Sequence, residues 1–171
     1  MNIFSFIIFF NYETTSFNKT FSAHKKNFKN IIIVNNSKNV SLKMFEGKNI
    51  IIINNEENVG LAKALNIGII HAKKMNFDFV ALFDQDTILP EGFNKEMCKK
   101  ITNHANKNKV AVFSPVYFNK ITNQYGSLIN FKFLRLLRDK PSKGEGQFFS
   151  QYVITSGSYI PLKVIDDVGL M

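Results

Sequence analysis

The chain has 171 residues, is 45% hydrophobic and contains one cysteine, Cys98, so it can bury one sizeable core but cannot form an intrachain disulfide. We expect one domain over residues 1–171. The formal charge of +9 is compatible with a nucleotide, a nucleic acid or a membrane surface as partner and does not choose among them.

Short apolar runs bounded by turn residues predict five strands that are buried on both faces. They lie at residues 3–10, 30–34, 49–53, 77–83 and 110–113. The first run lacks a basic leader and a small-residue cleavage site and is too short to span a bilayer, so a buried strand explains it better than a signal peptide.

Helical spacing of apolar residues separates these strands. One helix contains Leu61, Leu65 and Ile69, with Asn58 placed to cap its start, and a second is expected to begin at Pro90. The alternation predicts an α/β fold with a mostly parallel sheet flanked by helices. Residues 138–147 are predicted to form a mobile loop, and residues 161–168 a short surface helix.

Two carboxylates, Asp84 and Asp86, follow the fourth strand, at the sheet edge where such folds bind ligands. If the segment is extended, residues two apart point the same way, so the pair could share one Mg²⁺ or Mn²⁺. An acidic pair is weak evidence by itself, because such pairs also cap helices or stay solvated.

Four segments together resemble family 2 glycosyltransferases, most closely the bacterial rhamnosyltransferase-like branch. They are Ile-Ile-Phe-Phe-Asn at 7–11, Ile-Ile-Ile-Val-Asn-Asn-Ser at 31–37, Asn-Val-Gly-Leu-Ala-Lys-Ala-Leu-Asn-Ile-Gly at 58–68, and Thr-Ser-Gly-Ser-Tyr-Ile-Pro at 155–161 followed by Val168-Gly169. The third is the most specific, and the matches cover nearly the whole chain.

The resemblance implies a GT-A (Rossmann-like) fold and assigns site residues by motif position. It places the donor nucleotide at Phe10, Asn11, Asn35, Asn58, Gly60, Ala64 and Asp84. It places a divalent metal, Mn²⁺ or Mg²⁺, at Asp84 and Asp86, and the acceptor side at Ser156 and Gly157.

Two of these residues have competing interpretations. Phe10 could stack on a pyrimidine base or be one more core aromatic. Asn35 stands where the family has an aspartate; its amide oxygen could still accept a hydrogen bond from the base, or the residue could simply form a turn. Gly60 and Gly68 are expected to permit close backbone approach.

The activity implied by the resemblance is transfer of a deoxysugar such as rhamnose, or another hexose, from a dTDP or UDP donor to a glycan or lipid-linked acceptor of a bacterial surface polysaccharide. The resemblance further implies inversion at the sugar. The expected location is the cytoplasm at the inner face of the cytoplasmic membrane, with peripheral association that the basic charge would favour.

An inverting enzyme needs a carboxylate base, which the resembling family carries after the Val-Gly turn, so the base is expected beyond Met171 and the chain is expected to lack its C-terminal acceptor portion. Asp166 and Asp167 are too early to be that base. One alternative is therefore an inactive nucleotide-sugar-binding remnant. A basic nucleic-acid-binding protein ranks last, because the aromatics fall mainly inside strand patterns, and no nucleic acid is expected as a partner.

Overall fold

The computed structural model describes residues 1–119, 122–133, 135–139 and 146–171. Its elements alternate between strands and helices through the first hundred residues. In chain order they are β1 Ile3–Phe9, α1 Thr14–Asn27, β2 Asn30–Asn35, β3 Ile50–Asn54, α2 Leu61–Lys74, β4 Phe79–Asp84, α3 Phe93–Asn103, β5 Phe118–Asn119, β6 Gln124–Tyr125, β7 Leu128–Lys132, β8 Arg135–Asp139, β9 Ser158–Pro161 and α4 Leu162–Val168, with 3-10 turns at Lys43–Phe45 and Lys107–Lys109.

The main sheet has five strands in the order β3-β2-β1-β4-β9. The first four are parallel, and β9 runs antiparallel to β4. The chain builds β1, β2 and β3 toward one side, then crosses through α2 to place β4 on the other side of β1. The strand order therefore reverses between β1 and β4, and a crevice forms at such a point in open α/β sheets.

Helices cover both faces of this sheet. Helices α1 and α3 pack on one face through Phe17, Phe21, Met97 and Ile101, and α2 and α4 pack on the other through Leu65, Ile69, Leu162 and Ile165. Helix α2 approaches the sheet closely at Gly68, where an added Cβ would lie 2.3 Å from the ring of Phe6. The close approach expected at Gly68 is confirmed.

The first four predicted strands are confirmed within one or two residues, and the short helix expected over 161–168 is α4. The fifth predicted strand, 110–113, is wrong, since its one pairing in the described chain is an isolated bridge from Phe113 to Tyr159. The reason is competition for an edge. Strand β9 occupies the free edge of β4, so residues 110–113 cannot join the sheet there.

Two helix starts differ from the predictions. Helix α3 begins at Phe93 because Gly92 has a φ of 78°, which interrupts the helical backbone after Pro90. Asn58 does not cap α2, whose N-terminal flanking residue is Gly60; the Asn58 side chain instead accepts a hydrogen bond of 2.9 Å from the N–H of Gly60.

The predicted loop at 138–147 is partly wrong. Arg138 and Asp139 belong to β8, which pairs with β7 in a hairpin, and residues 140–145 lie outside the described part of the chain. Among the described residues, no helix combines the length and apolar character needed to cross a membrane.

Candidate functional site

The carboxyl ends of the four parallel strands meet at one edge of the sheet. Register places Phe9 opposite Asn35, Asn35 opposite Asn54, and Ile8 opposite Asp84. The polar residues that follow each strand are therefore neighbours, and those after β1 and β4 lie where the strand order reverses. This edge is the candidate site.

The backbone after β1 is held from both sides. The N–H of Phe10 donates a hydrogen bond of 2.7 Å to Gln85 Oε1, and the N–H of Asn11 donates one of 2.7 Å to Ser37 Oγ. Asn11 has a φ of 43°, a conformation that asparagine tolerates better than most residues. The Phe10 side chain is 41% exposed, so it is not one more core aromatic, and its stacking on a base stays a prediction.

The two carboxylates lie on a turn rather than on an extended segment. Strand β4 ends at Asp84, and the N–H of Thr87 donates a hydrogen bond of 3.1 Å to the Asp84 carbonyl, which closes the turn. The premise that Asp84 and Asp86 point the same way along a strand is therefore wrong. The two charges still interact: partial burial raises the pKa of Asp84, the charge of Asp86 raises it further, and a hydrogen bond with Ser156 lowers it.

This acidic turn fits a divalent cation that is shared with a ligand. Mg²⁺ is usually held by one or two carboxylates together with substrate phosphates and water. Asp84 and Asp86 are both exposed and close enough to repel, and a cation between them would relieve that repulsion. Within the described residues, no group of three or more His, Cys, Asp or Glu side chains forms a complete protein site.

The segment predicted to lie on the acceptor side packs against the acidic turn. Ser156 Oγ accepts a hydrogen bond of 3.3 Å from the N–H of Asp84 and shares one of 2.7 Å with Thr87 Oγ1. The N–H of Gly157 donates a hydrogen bond of 2.7 Å to the Leu82 carbonyl. Ser156 and Gly157 thus lie beside the proposed metal ligands, although their acceptor role stays a prediction.

Asn35 is buried, and its side chain bonds to the protein. Its amide nitrogen donates to the Val40 carbonyl at 2.7 Å and to Asn54 Oδ1 at 2.9 Å, while its oxygen accepts from the N–H of Ser37 at 3.1 Å. An aspartate here would face the Val40 carbonyl, a fixed acceptor, without a proton to donate. The asparagine is therefore accounted for by its neighbours, and its contact with a base stays a prediction.

Asn36, which the sequence did not single out, organises the start of α2. Its Oδ1 accepts from the N–H of Val59 at 3.0 Å and from Asn55 Nδ2 at 3.1 Å, and its Nδ2 donates to Asn58 Oδ1 at 2.7 Å. The run of asparagines after two adjacent strands is the signal that could have identified this network. Asn58 therefore holds the loop before α2 together with Asn36.

Gly60 and Ala64 have different local roles. Gly60 has a φ of 82°, and apart from its chain neighbours no described residue has an atom within 4 Å of the position of an added Cβ. Glycine is therefore favoured at position 60 by its backbone conformation. The close approach of another part of the backbone that was expected at Gly60 is not observed. Ala64 is fully buried between α2 and the sheet. Contact of either residue with a donor stays a prediction.

His24 is a second residue that the sequence analysis missed. It is buried on α1, with Nδ1 2.7 Å from Ser5 Oγ and Nε2 3.2 Å from the Thr87 carbonyl. Because a carbonyl can only accept, Nε2 carries the proton and Nδ1 accepts from the serine hydroxyl. Burial lowers the pKa of His24 to about 4. A neutral histidine thus links α1 to the acidic turn, and its i+7 spacing from Phe17 was the available signal.

A family model described as Glycosyl transferase family 2 matches residues 6–164. The chain belongs to glycosyltransferase family 2. The match includes every residue assigned above to the donor, the metal and the acceptor side, from Phe10 to Gly157.

A curated relative agrees with this family assignment. The chain is 28% identical over 174 residues to dTDP-rhamnosyl transferase RfbF of Shigella flexneri, an alignment that covers 99% of this chain and 57% of the relative. The chain therefore spans little more than half the length of that curated relative.

Solved structures establish the fold class. Two crystal structures of S. aureus TarS superpose with TM-scores of 0.60 and 0.61 at 14% and 16% identity, and each covers 98% of this chain. They are covered over 49% and 29% of their own lengths. The fold of this family 2 chain is the GT-A fold, as the sequence resemblance implied.

Proposed function

We propose that this chain binds a nucleoside-diphosphate sugar and that the protein transfers the sugar with inversion to a glycan or lipid-linked acceptor. The observation that carries the proposal is the meeting of Phe10 and the Asp84–Asp86 turn where the strand order reverses, with Ser156 packed against the turn. This arrangement offers a ring for a base beside carboxylates for a metal-bound diphosphate.

Rhamnose from a dTDP donor is the first sugar to test. The support is the name of the Shigella flexneri relative, a dTDP-rhamnosyl transferase, with which this chain aligns over 99% of its length. A UDP-sugar is the second donor to test. We further propose that the acceptor belongs to a bacterial surface polysaccharide and that the protein works in the cytoplasm at the inner face of the membrane.

Each proposed residue has a defined part. The exposed ring of Phe10 stacks on the base, and Gln85 fixes the backbone that carries this ring. Asp84 and Asp86 would hold Mn²⁺ or Mg²⁺, which when bound would neutralise negative charge on the diphosphate. Ser156 and Gly157 border the acceptor side of the same turn.

The test is calorimetric titration of the chain with dTDP and with UDP, each with and without Mn²⁺. We expect metal-dependent binding that Asp86→Ala abolishes. Asp167→Ala, an exposed carboxylate on α4, is the matched control and should bind as the unmodified chain does. Absence of nucleotide binding by the folded protein, or equal binding by both variants, would contradict the proposal.

A further inference from the structure

The β7–β8 hairpin and the segment before Ser156 expose an unusual amount of apolar surface. Phe133 is 91% exposed and Phe149 is 80% exposed. We call the exposed set the hairpin surface. It comprises Phe131, Phe133, Leu136, Leu137, Phe149 and Tyr152.

Three of these side chains are connected on one face of the hairpin, whereas Leu137, which pairs with Asn130, lies on the opposite face. Phe131 is paired with Leu136 across the hairpin, so the two lie on the same face. The ring of Tyr152 lies 5.8 Å from that of Phe131, and Tyr152 pairs with Ile129 in a bridge. An exposed contiguous apolar surface indicates a partner, because leaving it in water is unfavourable.

Phe133, at the turn of the hairpin, is not a residue type that the turn conformation favours. Phe133 has a φ of 47°, a conformation that glycine and asparagine adopt more readily than a bulky residue. The backbone therefore does not explain a phenylalanine at this position. Its exposed ring is better explained by contact with an apolar partner.

Charge identifies the kind of partner. Arg138 pairs with Ile129 and lies on the face of Phe131, whereas Lys132 and Arg135 pair with each other on the opposite face. Among the described residues of the hairpin, Asp139 is the one carboxylate. Cations interleaved with aromatic and aliphatic side chains suit a lipid surface with anionic headgroups, where rings enter the interface and cations stay at headgroup level.

Two other partners fit less well. A second copy of the chain, packed symmetrically through the same surface, would bring its arginines close to those of the first copy, which is unfavourable. Single-stranded nucleic acid would need rings free to stack on bases, whereas the ring of Phe131 already lies 5.8 Å from that of Tyr152 and its cross-strand partner Leu136 is aliphatic.

We propose that the hairpin surface binds the anionic surface of a lipid bilayer. Tyr152 precedes Ser156 by four residues, so even a fully extended chain keeps these two residues within about 14 Å of each other. Ser156 in turn contacts the acidic turn. Binding would thus hold the candidate site close to the membrane. That consequence, unlike the lipid binding itself, rests on the proposed function.

The test is co-sedimentation of the full chain with vesicles of phosphatidylcholine, with and without phosphatidylglycerol. We expect binding to the anionic vesicles that weakens with salt. Phe131→Ser with Phe133→Ser, and separately Arg135→Gln with Arg138→Gln, should each lower the partition coefficient about tenfold or more. Met44→Ser and Lys99→Gln with Lys100→Gln are matched controls at exposed positions away from the hairpin and should bind unchanged.

Absence of binding to anionic vesicles would overturn the proposal, and so would equal binding by the hairpin variants. Self-association that is lost in the Phe131→Ser, Phe133→Ser variant, without vesicle binding, would overturn it in favour of a second copy. Nucleotide titration of the same variants should match the unmodified chain. That separates failure of the lipid surface from failure of the donor site.

Discussion

The backbone N–H of Phe10 and the side-chain oxygen of Gln85 are 2.7 Å apart and join the ends of β1 and β4. Gln85 lies between the two carboxylates of the acidic turn. One side chain therefore links the position of the exposed ring to the position of the proposed metal ligands. Its loss should affect nucleotide binding even though Gln85 need not touch the nucleotide.

Gln85→Met keeps the length of the side chain and removes the hydrogen-bond acceptor. A net loss of about 1 kcal/mol should weaken dTDP binding about fivefold, because Phe10 is no longer held toward the base. Calorimetric titration with dTDP in the presence of Mn²⁺ measures this effect. Gln85→Glu retains an acceptor and should bind more tightly than Gln85→Met under those conditions. Equal affinities for all three proteins would show that the link is irrelevant to binding.

Asn36→Asp should destabilise the fold. The carboxylate would face the oxygen of Asn58, to which the amide now donates, so a buried bond is replaced by a repulsive contact. We expect the free energy of unfolding to fall by about 1–3 kcal/mol in urea denaturation. Asn18→Asp, at an exposed position on α1, is the control and should have little effect. An unchanged urea midpoint for Asn36→Asp would show that the hydrogen bond from Asn36 to Asn58 does not stabilise the fold.

Gly68→Ala tests the contact between α2 and the sheet. Alanine has the higher helix propensity by about 1 kcal/mol, which alone would stabilise α2. The added Cβ, however, would lie 2.3 Å from the Phe6 ring, so overpacking should dominate and lower stability by about 1–3 kcal/mol. Thermal unfolding measures the difference.

A second substitution identifies the cause of that loss. Phe6→Leu removes the ring that an alanine at position 68 would meet. The double variant should therefore lose less stability than the sum of the two single variants. If the two stability losses simply add, the strain caused by Gly68→Ala does not come from contact with the Phe6 ring.

His24 predicts an acid-sensitive fold. Its pKa is lowered to about 4 in the folded protein, against 6.5 for the ordinary group, so the unfolded chain binds the proton more readily. The contribution of neutral His24 to the free energy of unfolding is complete above pH 6.5. It is lost as pH falls through the pKa of His24 in the folded protein. The difference between the folded and unfolded pKa values of His24 corresponds to about 3 kcal/mol of stability.

The measurement is the free energy of unfolding as a function of pH for the unmodified chain and for His24→Gln. The amide cannot titrate, so the variant should show a shallower loss between pH 6.5 and 4 even if it is less stable throughout. The comparison cancels contributions from the carboxylates, which titrate in both proteins. Parallel curves would assign the acid sensitivity to other groups.

Several features of the site followed from local sequence. Asn11 after β1, the asparagines at the end of β2, the Asp84–Asp86 pair and the glycine-containing start of α2 were identified from short segments. Ser156 was also identified, although its hydrogen bond to the backbone of Asp84, 72 residues earlier, could not be. A motif specifies which residues take part, whereas a contact between distant motifs depends on strand order.

The sequence by itself determined the parallel β/α architecture, because runs of isoleucine, valine and phenylalanine separated by helical spacing are local patterns. Tertiary structure decided the rest. Strand β9 pairs with the edge of β4, so residues 110–113 do not pair there. The side-chain amide of Asn35 donates hydrogen bonds to Val40 and Asn54 within the protein. Both outcomes depend on residues that are far apart in the chain. One is the choice of strand at a sheet edge, and the other is the hydrogen bonding of buried polar groups, and each is set only when the strands are arranged in the sheet.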